Sequence, residues 1–172
     1  YIMKTSSEFL SGSIVKLLNY RIEQEEFSSR LYLSISLWAN NKGYLGAGKL
    51  FKKYSEEELI HADKAKEMLL ANGLQPTTPA LDKPQQEFEN LPKAIKAGFN
   101  HETEITKQCY ALTKAAFAEE NYMVVELGFW YVKEQVEELD KFQTLLDRLE
   151  VFSEKEDMLR ELDEEMEEMA IK

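Results

Sequence analysis

The sequence contains a single cysteine, Cys109, among its 172 residues. One thiol excludes an intrachain disulfide framework and a zinc cluster built from several cysteines. The longest nearly unbroken apolar stretch, residues 31–39, is far shorter than the roughly 20 residues that a membrane span needs. The N-terminus also lacks the basic and apolar segments of a secretion signal. We therefore expect a cytoplasmic protein.

Basic residues are scarce as well. The chain has 21 lysines and arginines against 32 aspartates and glutamates, which gives a formal net charge of -11 at pH 7. Such a chain is repelled by the phosphates of nucleic acids and by anionic membrane surfaces. We therefore expect no nucleic-acid and no membrane partner, and we consider cations the more natural ligands.

Proline and glycine, which interrupt helices, are confined to a few places. All four prolines lie within residues 76–92, and three of the seven glycines lie within residues 43–48. The remaining sequence has helical patterning, and its length corresponds to about one domain. We predict a single all-α domain over residues 1–172. Its predicted helices cover residues 6–40, 44–72, 91–119, 122–152 and 155–170.

The lengths of the predicted loops constrain the topology. The first two helices, and likewise the third and fourth, are joined by only a few residues, so each pair must form an antiparallel hairpin. The connection at residues 73–90 can span up to about 60 Å when extended, whereas a helix of 28 residues is about 42 Å long. This connection can cross the whole bundle and place the third helix parallel to the second. We predict a four-helix bundle over residues 6–152 with a short fifth helix.

Acidic residues interrupt the apolar stripe of each long helix, at positions that could meet at one level of the bundle. Buried carboxylates without a partner are strongly disfavoured, and two divalent ions would cancel four such charges. A histidine one helical turn after the second acid adds a nitrogen ligand on the same face. Mixed carboxylate and imidazole ligation suits iron or manganese. The residues concerned are Glu25, Glu58, His61, Glu102 and Glu138.

Each of these residues also has an ordinary structural interpretation. A single glutamate in an apolar stripe often extends to solvent, and a lone histidine such as His61 is usually a core or surface residue. Acidic runs such as residues 56–58 are usually solvated. The coincidence of acids on four helices at compatible depth nevertheless favours a metal centre.

The segments around these residues resemble bacterial non-haem ferritins, from about residue 14 to residue 165. The similar segments are EEFSSRLYL from Glu25, EEELIH ending at His61, NHETE around Glu102, and WYVKEQVEE ending at Glu138. The resemblance implies a ferritin-like bundle with one long crossover. It also implies that the protein is a ferroxidase, an enzyme that oxidises Fe(II).

By this resemblance, two irons would occupy one centre in each chain. The first iron would be held by Glu25, Glu58 and His61. The second would share Glu58 and be held by Glu102, with Gln135 and Glu138 nearby. The segment Gln135-x-x-Glu138 replaces the second Glu-x-x-His of bacterioferritins, and Leu59 stands where a bacterioferritin has its haem-ligating methionine. No haem is therefore expected.

The resemblance assigns further residues around this centre. Tyr32 would donate a hydrogen bond and serve as an electron donor, with Trp130 close by. A third, accessory iron would be held by Glu57, Glu134 and Glu137, with Glu138 shared. The spacing supports this grouping, because residues 134, 137 and 138 are related by one helical turn and Glu57 directly precedes Glu58.

The implied function is iron storage in a hollow homo-oligomeric shell of 24 subunits, with dioxygen or hydrogen peroxide as oxidant. Two alternatives stay open at this stage. One is another di-iron bundle enzyme, such as a peroxide scavenger, although such enzymes commonly keep the second Glu-x-x-His. The other is a metal-free helical module whose acids bind a basic partner.

Overall fold

A computed structural model describes residues 7–152 and 156–171, and within these ranges the regular structure is entirely α-helical. None of the described helices combines the length and apolarity that crossing a membrane requires. The observed helices agree with the prediction to within two residues at nearly every end. Their bounds are α1 Gly12–Lys42, α2 Leu45–Ala71, α3 Leu91–Ala118, α4 Tyr122–Phe152 and α5 Glu156–Ile171.

The start of α1 differs from the prediction. The helix was predicted from residue 6, which lies outside the described residues, but residues 7–11 are not helical. Ser11 has an extended backbone, and its side-chain oxygen accepts a hydrogen bond from the Ile14 N–H. This is the geometry of a helix N-cap, so the helix begins at Gly12. The predicted start of the fifth helix, residue 155, also lies outside the described residues.

Two apolar clusters fill the bundle, one toward each end. One cluster includes Trp38 and Ala39 from α1 and Phe142 from α4, while the other includes Ile14 and Leu18 from α1. Going along the chain, α1 and α4 run from the second cluster to the first, and α2 and α3 run the opposite way. Helix α3 is therefore parallel to α2, as the long connection predicted.

The connection between α2 and α3 follows the outer side of α1. The backbone N–H of Thr77 donates to the side-chain oxygen of Asn19 at 2.8 Å, and Ser34 donates to the carbonyl of Gln85 at 2.6 Å. Asn19 and Ser34 are 15 residues apart on α1, which is about 22 Å along a helix. Phe88 then enters the core against Trp38. The loop thus carries the chain along the bundle and closes one of its ends.

Helix α5 packs directly on the start of α2. Leu159, Leu162 and Met166 are buried in the first apolar cluster. The carboxylate of Asp163 accepts hydrogen bonds from the backbone N–H groups of Gly46 and Ala47, at 3.2 and 2.7 Å. Because Tyr44 provides no side-chain cap to α2, Asp163 satisfies N–H groups that would otherwise lack a partner.

Candidate metal centre

Between the two apolar clusters lies a layer of buried polar side chains. All four glutamates predicted to interrupt the apolar stripes are at most 2% exposed, and His61 is 5% exposed. Each of the four long helices contributes to this layer, because its acidic residue lies between the segments that enter the two apolar clusters. The predicted convergence is observed as well, because Glu25, Glu102 and Glu138 all lie close enough to Glu58 to raise its pKa.

Helices α1 and α2 form one half of the layer. Ligand atoms of Glu25, Glu58 and His61 all lie within 4.8 Å of one another. His61 Nδ1 is 3.0 Å from a carboxylate oxygen of Glu58, which is one helical turn earlier. Neither oxygen of Glu25 accepts a well-aligned hydrogen bond from a nitrogen donor within the described part of the chain. Buried oxygens of this kind, beside an imidazole, suit a bound iron ion.

Helices α3 and α4 form the other half. The Tyr32 hydroxyl donates a hydrogen bond to one oxygen of Glu102, and Gln135 Nε2 donates to the other at 2.9 Å. Gln135 Nε2 also lies 3.1 Å from the Thr106 hydroxyl oxygen. Both oxygens of Glu102 are thereby oriented toward fixed donors. Gln135, which is 2% exposed, positions this carboxylate in the metal-free chain.

Burial makes the charged form of these acids costly. Loss of hydration raises the pKa of Glu58 well above its usual value, and the neighbouring Glu102 charge raises it further. Burial also raises the pKa of Glu102 to about 7, despite hydrogen bonds from Gln135 and Tyr32. The pKa of Glu138 is raised to about 7 by burial, against the opposing effect of Lys141. The metal-free centre therefore retains protons near neutral pH.

These pKa values predict that metal binding releases protons. At pH 6 Glu102 and Glu138 are largely protonated in the metal-free protein, and coordinating a cation requires their ionised forms. We expect Zn(II) binding to release about one to two more protons per chain at pH 6 than at pH 8.5. Calorimetric titration in buffers of different ionisation enthalpy measures this difference.

The same values set the pH dependence of the metal-free fold. Because the pKa of Glu102 is raised on folding, the folded chain holds its proton more tightly, and this contribution to stability is lost as pH rises from about 4.5 to about 7. Glu102→Gln removes this titration and serves as the control. If the stability difference between the wild type and Glu102→Gln does not change across this interval, the pKa of Glu102 is not raised.

Two cations that sequence reasoning missed lie in this layer. Arg21 is 1% exposed, and its Nε lies 2.8 Å from a carboxylate oxygen of Glu25. Lys141 donates to Glu138 at 2.9 Å and to Glu57 at 2.8 Å. Each stands one turn from a predicted ligand on the same helix, so helical spacing alone could have identified both. They offset part of the charge of the four buried carboxylates.

The residues predicted for an accessory site line one pocket beside this layer. Glu57, Glu134, Glu137 and Glu138 surround a cavity of about 240 Å³ together with Lys141. Glu134 lies 3.7 Å from His61 Nε2, whereas Glu137 is exposed. The pocket therefore adjoins the buried centre.

The predicted aromatic residues lie next to the candidate ligands. Tyr32 is fully buried among the rings of Phe51, Tyr54 and Phe142. Burial raises the pKa of its hydroxyl well above the usual value, so the hydroxyl stays protonated and can donate. The Trp130 ring meets the His61 ring edge to face, with centroids 5.7 Å apart.

A neighbouring tyrosine has a role that the sequence did not indicate. The hydroxyl of Tyr131 donates to the backbone carbonyl of His61 at 2.7 Å. Tyr131 packs in the second apolar cluster and also links α4 to α2 at the level of the buried acids. No pattern in the sequence distinguishes it from its aromatic neighbours.

Comparison with known proteins agrees with this geometry. The ferritin-like domain family matches residues 15–152. A probable bacterial non-heme ferritin-like protein of Haemophilus influenzae is 34% identical over 84% of this chain and 88% of its own length. A bacterial non-heme ferritin of Campylobacter jejuni is 31% identical over 84% of this chain and 87% of its own length.

Solved structures give the same result. An open pore ferritin from Archaeoglobus fulgidus superposes with a TM-score of 0.88 at 29% identity, covering 91% of this chain and 97% of that one. The resemblance to bacterial non-haem ferritins found in the sequence is thus confirmed. With a family match across all four long helices and its acids gathered between them, this chain belongs to the ferritin family.

Proposed function

We propose that this protein stores iron, oxidising Fe(II) at a two-iron ferroxidase centre and retaining the ferric product inside a shell of 24 identical chains. The observation that carries the proposal is the convergence of Glu25, Glu58 and His61 ligand atoms within 4.8 Å in a buried layer. Oxygen and nitrogen ligands of this kind suit iron.

The two ions would bind as substrates on either side of Glu58. Glu25 and His61 would hold the first ion with Glu58, and Glu102 and Glu138 would hold the second. Gln135 orients Glu102 by its hydrogen bond at 2.9 Å. Two Fe(II) ions give up one electron each, which together reduce dioxygen, with two protons, to hydrogen peroxide. Hydrogen peroxide could replace dioxygen as the oxidant.

Tyr32 and Trp130 would supply further electrons when the oxidant takes more than two. Tyr32 donates a hydrogen bond to Glu102, and the Trp130 ring contacts His61. Both rings are thus one contact away from a candidate ligand. Such contact supports electron transfer without requiring either ring to bind the metal.

A third iron position would be formed by Glu57, Glu134 and Glu137, with Glu138 shared between the pocket and the centre. The pocket of about 240 Å³ that these residues line supports this assignment. Iron held there would pass between the catalytic pair and the shell interior. The side chains of Glu57, Glu134 and Glu137 are at least partly exposed. The simpler interpretation, that they are solvated acids without metal, is tested by counting bound ions.

Native mass and iron content test the proposed function. We expect a particle close to 480 kDa, twenty-four times the 20.0 kDa chain, that takes up hundreds of irons in air without precipitation. Native mass spectrometry and an iron assay on the same fraction measure both. A dimer that consumes peroxide would favour a di-iron scavenger, and a monomer without saturable Fe(II) binding would favour an interaction module. We propose a cytoplasmic location for the assembled particle.

A further inference from the structure

Lys141 occupies the boundary between the buried centre and the acidic pocket. Its ammonium group donates to Glu57 on α2 at 2.8 Å and to Glu138 on α4 at 2.9 Å. It also lies 5.2 Å from the centroid of the Tyr54 ring, in cation-π contact. The ammonium group therefore sits between two carboxylates that the proposed function assigns to iron.

The two carboxylates differ in their surroundings. The side chain of Glu138 is 3% exposed and belongs to the buried layer, whereas that of Glu57 is 29% exposed and faces the pocket. An ion that uses Glu57 and Glu138 together would have to approach the oxygens to which Lys141 donates. Because a divalent ion and an ammonium group repel each other strongly at such separations, both cannot occupy this position at once.

The Lys141 side chain also has room to move away from the two carboxylates. Its side chain is 31% exposed, and it lines the pocket of about 240 Å³. The long flexible stem allows the ammonium group to rotate from the carboxylates into this space without moving either helix. The contacts thus define two arrangements, one with the ammonium between Glu57 and Glu138 and one with that position free.

We infer that Lys141 is a resident cation that occupies the accessory iron position and must be displaced before a third ion binds between Glu57 and Glu138. This inference rests on the proposed function, because it takes the neighbouring centre to bind metal. In this role Lys141 does not bind metal itself, but its charge controls when the third position can be filled. The chain would thereby fill its two catalytic positions first and admit a third ion only at higher metal concentration.

Anaerobic titration of the assembled, metal-free protein with Co(II) tests this inference without any oxidation step. Lys141→Met keeps the length of the stem and removes the charge, and Lys141→Gln is a second variant should the first fail to assemble. Lys141→Arg keeps the charge. Lys133→Met removes an exposed positive charge from the same helix, α4, and controls for the change in net charge.

We expect the wild type to bind two Co(II) ions per chain tightly and a third weakly. In Lys141→Met the third ion should bind about tenfold more tightly, the scale of one partly exposed charge contact. Lys141→Arg and Lys133→Met should resemble the wild type. If Lys141→Met binds the third ion no more tightly, or if Lys133→Met strengthens it equally, the inference is overturned while the two-iron centre stands. Absence of saturable binding in every variant would instead overturn the proposed function.

Discussion

Replacing Glu58 with alanine is expected to abolish rapid oxidation of Fe(II) in air. Glu58 is 2% exposed, one of its oxygens lies within 4.8 Å of ligand atoms of Glu25 and His61, and the proposed function places it in contact with both ions. Loss of a residue that merely orients a metal ligand typically costs 10- to 100-fold, so loss of a shared ligand should cost more than about 100-fold. Stopped-flow absorbance after addition of two Fe(II) ions per chain measures the rate.

Glu56→Ala is the matched control for this variant. Glu56 is exposed on the same helix and pairs with Lys52 at the surface, so its removal changes the net charge equally without touching the centre. His61→Ala should slow oxidation strongly, although Glu25 and Glu58 would remain. Wild-type rates in Glu58→Ala would show that the centre has been assigned to the wrong residues.

The free energy of unfolding of Glu58→Ala should show that its loss of activity does not come from unfolding. The raised pKa of Glu58 shows that burial already disfavours its charged form. Where rising pH ionises Glu58 and its acidic neighbours, removing this carboxylate relieves their repulsion, so metal-free Glu58→Ala should be as stable as the wild type or more stable at alkaline pH. Chemical denaturation of both proteins without metal checks this point.

Deleting residues 155–172 is expected to destabilise the bundle by about 5 kcal/mol or more. The deletion removes Leu159, Leu162 and Met166 from the first apolar cluster, and fully burying one such side chain contributes roughly 1.5–3 kcal/mol. It also removes Asp163 from the N-terminus of α2. Urea denaturation measures the loss, and an unchanged unfolding midpoint would show that α5 does not contribute to the core.

A substitution at Gly46 tests the close contact between α5 and α2 directly. A Cβ atom at Gly46 would overlap with the backbone carbonyl of Asp163, so Gly46→Ala should force α5 away from α2 in the complete chain. In the shortened chain that backbone is absent, and Gly46→Ala should be neutral or mildly stabilising. If Gly46→Ala changes the free energy of unfolding equally in the complete and the shortened chain, α5 does not pack on α2 at Gly46.

The sequence predicted the buried acids because helical periodicity is a local property. Glu25, Glu58 and Glu138 stand out as acids in stripes that are otherwise apolar, and such a stripe can be recognised without knowing what packs against it. Loop lengths then determined which helices run parallel. The depth of the buried acidic layer and the direction of α3 therefore followed from the sequence.

What the sequence did not predict depends on contacts between distant segments. The contact of Lys141 with Glu57 joins α4 to α2, whereas Arg21 pairs with Glu25 one turn along the same helix and could have been identified from the spacing. Arg21 and Lys141 together offset part of the charge of the four acids, so the acids alone do not require two divalent ions for charge balance. The docking of α5 was likewise hidden, because nothing near Asp163 indicates that it caps α2.

The single cysteine has a practical consequence for labelling chemistry. Cys109 is fully buried beside Arg21, and burial raises the pKa of its thiol to about 12. The thiolate, not the thiol, attacks alkylating reagents, so the folded chain presents essentially no reactive thiol at neutral pH. A cysteine introduced at any exposed position would therefore be the sole target of a maleimide dye, and the surface of the chain can be derivatised at chosen points without altering the native sequence elsewhere.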